Sequence, residues 1–348
     1  MFEDLLQGWD GEEAVIRYDA ESGAWMFVCV HSTALGPAGG GTRMRVYDEP
    51  ADGLADAMRL SGAMTRKMAV AGAAHGGGKA VLAVPSLPAG EARRRLLLRY
   101  GRLVASLGGT YRTAGDMNIT PDDLDIVAET CPWVFGSNAH GGNSGYGTAR
   151  GVLHGIVASV EHIFGSADLD GRSVLVQGVG SVGHDLARYL AEGGARVLVA
   201  DVDEVAARRV AGQIGAEVVP AADALTAACD VYAPCAIGGT LNAKTIPTLG
   251  CRIVAGSANN QLADPEDAGR LHAAAILYAP DYVINAGGVL QLIGTEELGL
   301  DADELERSFL GIGETLRGLY RDADATGVTP AAAAERLAAE RVAAAQII

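Results

Sequence analysis

Ser173-Val174-Leu175-Val176-Gln177-Gly178-Val179-Gly180-Ser181-Val182-Gly183 is the stretch whose reading decides the fold. An apolar, β-branched run ends in glycines at G-x-G-x-x-G spacing, and a helical pattern over 182–193 follows. Each glycine then has a physical task. Gly178 allows a tight turn, Gly180 lets backbone approach a pyrophosphate, and Gly183 lets the helix pack closely on the strand. The helix start at Ser181 and Val182 presents free N–H groups to phosphates. The next strand, Arg196-Val197-Leu198-Val199-Ala200, ends at Asp201, 18 residues after Gly183. A carboxylate there accepts hydrogen bonds from ribose hydroxyls and repels a 2′-phosphate, so NAD is expected over NADP, although Arg208 and Arg209 follow closely.

Downstream, strand-like segments at 230–233, 252–255 and 274–278 alternate with helical patterns. That rhythm predicts a parallel, doubly wound Rossmann-type NAD-binding domain over 146–330. Helices are expected at 147–164, 303–323 and 330–346, the last opening after Thr329-Pro330. Residues 331–348 are expected to pack back on the first domain. Upstream, residues 1–145 read as a separate α/β unit, with strands at 24–30, 80–84 and 110–113 and helices at 52–70 and 90–107. Gly141-Gly142-Asn143-Ser144-Gly145 is the expected hinge, because glycine absorbs large φ/ψ changes at little steric cost.

Composition narrows the classes of function. The chain has 348 residues, 49% hydrophobic and 20% charged, which predicts a globular protein of two domains. A formal net charge of −16 argues against nucleic acid and anionic membrane as partners. Cys29, Cys131, Cys229, Cys235 and Cys251 form no C-x-x-C pair and are expected as buried, reduced thiols. There is no H-x-x-x-H or carboxylate cluster with ligand spacing, so no metal site is expected. Without a signal-peptide start or a long apolar run, the protein is expected to be soluble and cytoplasmic.

The candidate chemistry lies upstream of the glycine turn. Lys79 closes His75-Gly76-Gly77-Gly78-Lys79, where backbone can approach a substrate closely. Burial and a second ammonium, expected from Lys67, would both lower its pKa towards the range of a general base. Lys67 itself can bind a carboxylate. Asp116, in Ala114-Gly115-Asp116-Met117-Asn118, can carry a proton to or from nitrogen. Two amines, a carboxylate and a nicotinamide site are the parts needed to oxidise an amino acid.

The chain resembles the amino-acid dehydrogenase family that includes the glutamate, leucine, phenylalanine and valine enzymes. The matching segments are Leu35-Gly36-Pro37-Ala38-Gly39-Gly40-Gly41-Thr42-Arg43, Met64-Thr65-Arg66-Lys67, Gly76-Gly77-Gly78-Lys79 and Asp116-Met117-Asn118. Further on they are Ala233-Pro234-Cys235-Ala236, Ala258-Asn259-Asn260 and Tyr278-Ala279-Pro280-Asp281-Tyr282-Val283-Ile284-Asn285-Ala286-Gly287-Gly288. The resemblance implies a mixed-sheet substrate domain, which also mediates homo-oligomer assembly, followed by the coenzyme domain. It implies that Lys67 binds the substrate carboxylate, Lys79 activates water and Asp116 shuttles the amine proton. Asn259 would hold the substrate's backbone end and lie near the cofactor. Thr148, Ala236 and Asn285 would also lie at the cofactor. The implied reaction converts an amino acid reversibly to a 2-oxo acid and ammonia.

The residue before Gly40 bears on the substrate. Gly39 cannot pair with a side-chain carboxylate, so glutamate would be buried unpaired. Gly39 with Gly40, and the apolar Met64, Ala114, Val289 and Leu292, make the expected side-chain pocket by resemblance. A glycine floor favours phenylalanine or another bulky side chain, and the segment around Gln291 looks most like phenylalanine dehydrogenases. Leucine or valine is the alternative, supported by Ala114 and by Ala258-Asn259-Asn260-Gln261-Leu262. A catalytically silent NAD or amino-acid binder is the rival from another class, and an imine-reducing enzyme of secondary metabolism would use the same residues. Tyr146 and Arg150 match nothing in the family and are expected either to pack a helix or to face the substrate.

Overall fold

Ala24–Val30 is an unbroken apolar run and every residue of Gly76–Ala83 is buried, so each strand packs on both faces. The computed structural model describes residues 2–140 and 144–346. It divides into two units: Met1–Asn143 with Thr295–Gly299 and Leu337–Ile348, and Ser144–Gly294 with Leu300–Arg336. Gly141, Gly142 and Asn143 of the expected hinge lie outside the described residues.

In the first unit the strands are β1 (Glu13–Asp19), β2 (Ala24–Ser32), β3 (Ala38–Arg45), β4 (Gly76–Ala83) and β5 (Tyr111–Gly115). Its helices are α1 (Phe2–Gln7), α2 (Pro50–Ala71), α3 (Gly90–Ala105) and α4 (Pro121–Ala128). The sheet runs β1-β2-β4-β3-β5 and is mixed: β1–β2 and β2–β4 are antiparallel, β3–β4 and β3–β5 parallel. Phe27, Cys29, Val81 and Ala83 pack under Leu54, Ala57 and Met58 of α2. Met26, Val28, Ala80 and Leu82 face the other way, onto Leu96, Leu97, Leu103 and Leu124 of α3 and α4. Arg341 donates to the carbonyls of Ala69 and Val70, a cation on the open carbonyls ending α2.

Two glycine-rich segments that lay outside the expected strands turn out to be strands. Gly76–Gly78 belongs to β4, which starts four residues before the expected strand at 80–84, and Ala38–Arg45 is β3. Close packing rather than turning explains the glycines. A Cβ at Gly77 would lie 2.0 Å from the Thr65 nitrogen of α2. One at Gly40 would lie 1.8 Å from the Gly78 carbonyl oxygen. Glycine therefore lets α2 cross directly against the sheet.

The second unit follows the Rossmann order. Its strands are β6 (Ser173–Gln177), β7 (Arg196–Ala200), β8 (Glu217–Val218), β9 (Val231–Pro234), β10 (Ile253–Val254) and β11 (Leu277–Tyr278), in the parallel order β11-β10-β9-β6-β7-β8. The helices continue as α5 (Gly145–Phe164), α6 (Ser181–Glu192), α7 (Glu204–Ile214), α8 (Asp267–Ala273), α9 (Asp281–Ile284), α10 (Gly287–Glu296), α11 (Ala302–Thr326) and α12 (Pro330–Ala345), which from Leu337 on belongs to the first unit. The strand expected at 274–278 shrinks to β11 because Ala275, at φ +57°, and the Ile276 N–H bonded to Leu271 still finish α8. The order reverses between β6 and β9, the switch point where such sheets bind ligands beyond the strands' carboxyl ends. Among the described residues no helix is long and apolar enough to cross a membrane.

Tyr146 and Arg150 pack α5. Arg150 forks onto Glu306 of α11, its Nε donating at 3.0 Å, and lies over the Tyr189 ring. Tyr146 meets Phe309 edge-on, with ring centroids 6.0 Å apart.

Candidate active site

Alternation along β3 and β4 puts one set of residues on the α2 face of the first sheet. Lys79 is there, directly opposite Cys29 on β2 and almost wholly buried. Its Nζ lies 2.6 Å from Asp116 Oδ2, just past the end of β5. Asn118, left-handed at φ +61°, donates its Nδ2 to the Met44 carbonyl and so closes the turn that presents Asp116. Arg43, on the same face of β3, donates Nε to the same Asp116 oxygen at 3.0 Å.

Electrostatics set the protonation of this group. Burial pushes the Lys79 amine down from its ordinary range, Asp116 pushes back, and Arg43 lowers it further. Arg43 is thus a cation beside Lys79 that the sequence reading did not name. Burial alone would raise the Asp116 carboxyl, but Lys79 and then Arg43 outweigh it and hold it below the ordinary carboxylate value. The result is an ionised carboxylate against an amine that gives up its proton easily, the pairing that acid–base chemistry at nitrogen requires.

The other expected substrate residues fall into place unevenly. Lys67 and Met64 lie half-buried on α2, and Ala114 is the β5 partner of Gly41 on β3. Gly40 does not join the group: its Cβ direction meets Gly78, and its carbonyl accepts the Tyr111 hydroxyl at 2.7 Å in the core. Gly39 corrects an expectation. The space a side chain would take there is not open, because Met68 Cε lies 2.8 Å and His75 Cδ2 3.8 Å from the would-be Cβ. Val289 and Leu292, half-buried and three apart on α10, share one side of that helix.

In the second unit the glycine turn has the expected geometry. Gly178 sits at φ +93°, and its would-be Cβ lies 2.7 Å from Ala236 Cβ, which brings Ala236 to the turn. Gly183 is pressed on the Gly178 carbonyl oxygen, 1.9 Å from its would-be Cβ. Gly180 has nothing within 4 Å in that direction and stands at the N-terminus of α6 with Ser181 and Val182. Asp201 accepts the Val179 N–H at 2.8 Å and the Asp203 N–H at 2.9 Å, so it braces the turn from below. A depression of about 450 Å³ beside it is lined by Gly180, Ser181, His184 and Arg209; Arg208 is turned away onto Glu204.

Asn259 and Asn285 come together: Asn285 Nδ2 donates to Asn259 Oδ1 at 2.7 Å and to the Ser257 carbonyl at 3.1 Å. Both N–H groups of Asn285 are then used, while its buried Oδ1 has no partner. An orphaned buried acceptor fits a ligand that brings an N–H donor, such as a carboxamide. Thr148 donates to the Ser144 carbonyl at 2.9 Å and packs on Gly288. An open glycine at a helix start, a braced acidic strand end and an orphaned acceptor together fit a nicotinamide dinucleotide.

Sequence reasoning passed over Arg43, Asp56 and Tyr47. The available signal was period two: Gly39, Gly41 and Arg43 share a strand face once Ala38–Arg45 is read as β3.

Known proteins match along nearly the full length. Residues 18–133 match the model described as Glu/Leu/Phe/Val dehydrogenase, dimerisation domain, and residues 199–347 that of Glutamate/Leucine/Phenylalanine/Valine dehydrogenase. A valine dehydrogenase of Streptomyces virginiae is 43% identical over 95% of this chain and 93% of its own length. A leucine dehydrogenase of Geobacillus stearothermophilus is 38% identical over 97% and 92%. The crystal structure of L-tryptophan dehydrogenase from Nostoc punctiforme superposes with a TM-score of 0.87 at 38% identity, covering 100% of both chains.

Proposed function

The chain belongs to the Glu/Leu/Phe/Val amino-acid dehydrogenase family, and from that premise we propose that it oxidises a branched-chain L-amino acid, valine or leucine, with NAD. The products are the 2-oxo acid, ammonia and NADH, with water consumed. The observation that carries the chemistry is the buried Lys79–Asp116 pair, 2.6 Å apart.

Each residue has a distinct task. Lys67 holds the substrate carboxylate. Asp116 takes a proton from the substrate ammonium, freeing the nitrogen lone pair as the Cα–H bond breaks. A nicotinamide, when bound, supplies the hydride acceptor. Lys79 takes a proton from water as its oxygen adds to the imino carbon. Lys79 releases that proton to solvent; Asp116 then returns a proton to nitrogen, and as the C–N bond breaks Lys79 takes the hydroxyl proton, leaving the 2-oxo group and free ammonia. The glycine turn and the start of α6 hold the dinucleotide phosphates, and Asp201, as an anion at the strand end, favours NAD over NADP. Thr148, Ala236, Asn259 and Asn285 line the nicotinamide end.

An aliphatic substrate is preferred to phenylalanine for two reasons. Met68 takes the space that Gly39 leaves, and the similarity to valine and leucine dehydrogenases spans nearly the whole chain. An aromatic substrate is the second reading, supported by the similarity to L-tryptophan dehydrogenase. NAD reduction at alkaline pH with valine, leucine, phenylalanine, tryptophan and glutamate tests both. Turnover led by an aliphatic substrate is expected; turnover led by an aromatic one selects the second reading. None with any of them would leave a silent binder or an imine reductase.

Met68→Ala should reopen the space at Gly39. The ratio of kcat/KM for phenylalanine over leucine is expected to rise about tenfold, within the ~1–3 kcal/mol that an apolar pocket discriminates per methylene. An unchanged ratio would remove Met68 from the pocket. A homo-oligomer assembled through the first unit is supported by the match there to a model described as a dimerisation domain, and light scattering after size exclusion tests it.

A further inference from the structure

A second charged pair holds the Lys79–Asp116 pair. Arg43 Nη1 donates to Asp56 Oδ2 of α2 at 2.9 Å, while its Nε donates to Asp116. Asp56 is held in turn by the Tyr47 hydroxyl at 2.7 Å and Arg59 Nη2 at 2.8 Å. The side chains of Arg43 and Asp56 are only 14% and 13% exposed. Burying such a pair is costly, and it adds little stability over an apolar equivalent. Its planar fork is suited to fixing two carboxylates at a set distance.

We propose that Arg43, anchored on Asp56, is a positioning residue for the deamination: it fixes the Asp116 carboxylate against the Lys79 amine and places a permanent positive charge beside that amine. The inference rests on the roles of Lys79 and Asp116 in the proposed function.

The arrangement has a signed consequence. Lys79 accepts a proton only when neutral. Burial lowers its affinity for the proton first, Asp116 and Asp56 raise it, and Arg43 lowers it. Without the Arg43 charge the amine keeps its proton to higher pH; without the Asp56 charge it loses it at lower pH. Other titratable groups of the described residues lie on or near this face. Cys29 lies opposite on β2, its thiol pushed by burial up to about 12 and so neutral. The Tyr47 hydroxyl is raised by burial and then by Asp56. His31 is bonded to Thr65 and lies 3.3 Å from Asp10, and Lys67 lies on α2.

The test is the pH dependence of kcat/KM for the best amino-acid substrate, in the full-length enzyme and in Arg43→Gln, Arg43→Lys and Asp56→Asn, with thermal melts alongside. The acid limb reports the free enzyme's base. For Arg43→Gln it is expected to move to higher pH by about one unit, the lower end for a neighbouring charge. For Asp56→Asn it moves to lower pH. For Arg43→Lys it stays near that of the parent, while kcat falls more than KM rises because the fork is lost. Limbs that coincide with the parent's, or shift in the same direction, overturn the proposal. Should Arg43→Gln fail to fold, the Asp56→Asn limb decides: an unmoved or upward limb overturns it. A parent without turnover on any amino acid overturns the proposed function and this inference together; a parent that turns over with unmoved limbs overturns only this one.

Discussion

Lys79→Ala is expected to cut kcat for oxidative deamination by about 10³-fold, within the range a positioned general base contributes. The amine is almost wholly buried, faces one carboxylate at 2.6 Å and is pushed by burial towards its neutral form. Alanine leaves no group to take the proton from water, and the imino acid then waits on bulk solvent. The fold should survive. Asp116 keeps its bond from Arg43 and is partly exposed, so no unpaired charge is sealed in the core. The amino-acid KM should change far less than kcat, because the carboxylate is assigned to Lys67. A variant with kcat within tenfold of the parent and an intact melt would remove Lys79 as the base.

The second large effect separates two glycines of one turn. Gly183→Ala should destabilise the second unit by about 3 kcal/mol, the upper range for overpacking. Its Cβ would lie 1.9 Å from the Gly178 carbonyl oxygen, and backbone on both sides cannot step aside. Helix α6 must lift, and dinucleotide binding should fall with it. Gly180→Ala meets nothing within 4 Å, so its stability cost stays below about 1 kcal/mol, that of a poorer helix cap. Yet the methyl would occupy the approach of a pyrophosphate, and the KM for NAD should rise about tenfold, equivalent to ~1.4 kcal/mol. Thermal melts and NAD titrations of the two variants make the comparison. Equal NAD affinity in Gly180→Ala and the parent would move the phosphates away from this turn.

The two halves of the molecule were unequally legible. The second unit announced itself because a Rossmann turn is local: strand, glycines, helix and acid lie within thirty residues, and Gly183 answers the Gly178 carbonyl within that span. The first unit was harder. Its glycines are needed for contacts between segments far apart in sequence, Gly40 with Gly78 and Gly77 with Thr65, so β3 and the start of β4 were not among the expected strands. Glycine lowers strand propensity when read alone, and only the neighbour that forbids a side chain reveals why it is there.

Lys79, Asp116 and the glycine turn, with the doubly wound order of the second unit, followed from the sequence by itself, since residue type and short-range period carry them. Tertiary structure alone decided what surrounds them. It put Arg43 beside the Lys79 amine, filled the gap at Gly39 with Met68 and turned Gly40 into the core. The physical reason is that charge and volume act through distances across strands and helices, which the order of residues along the chain does not contain.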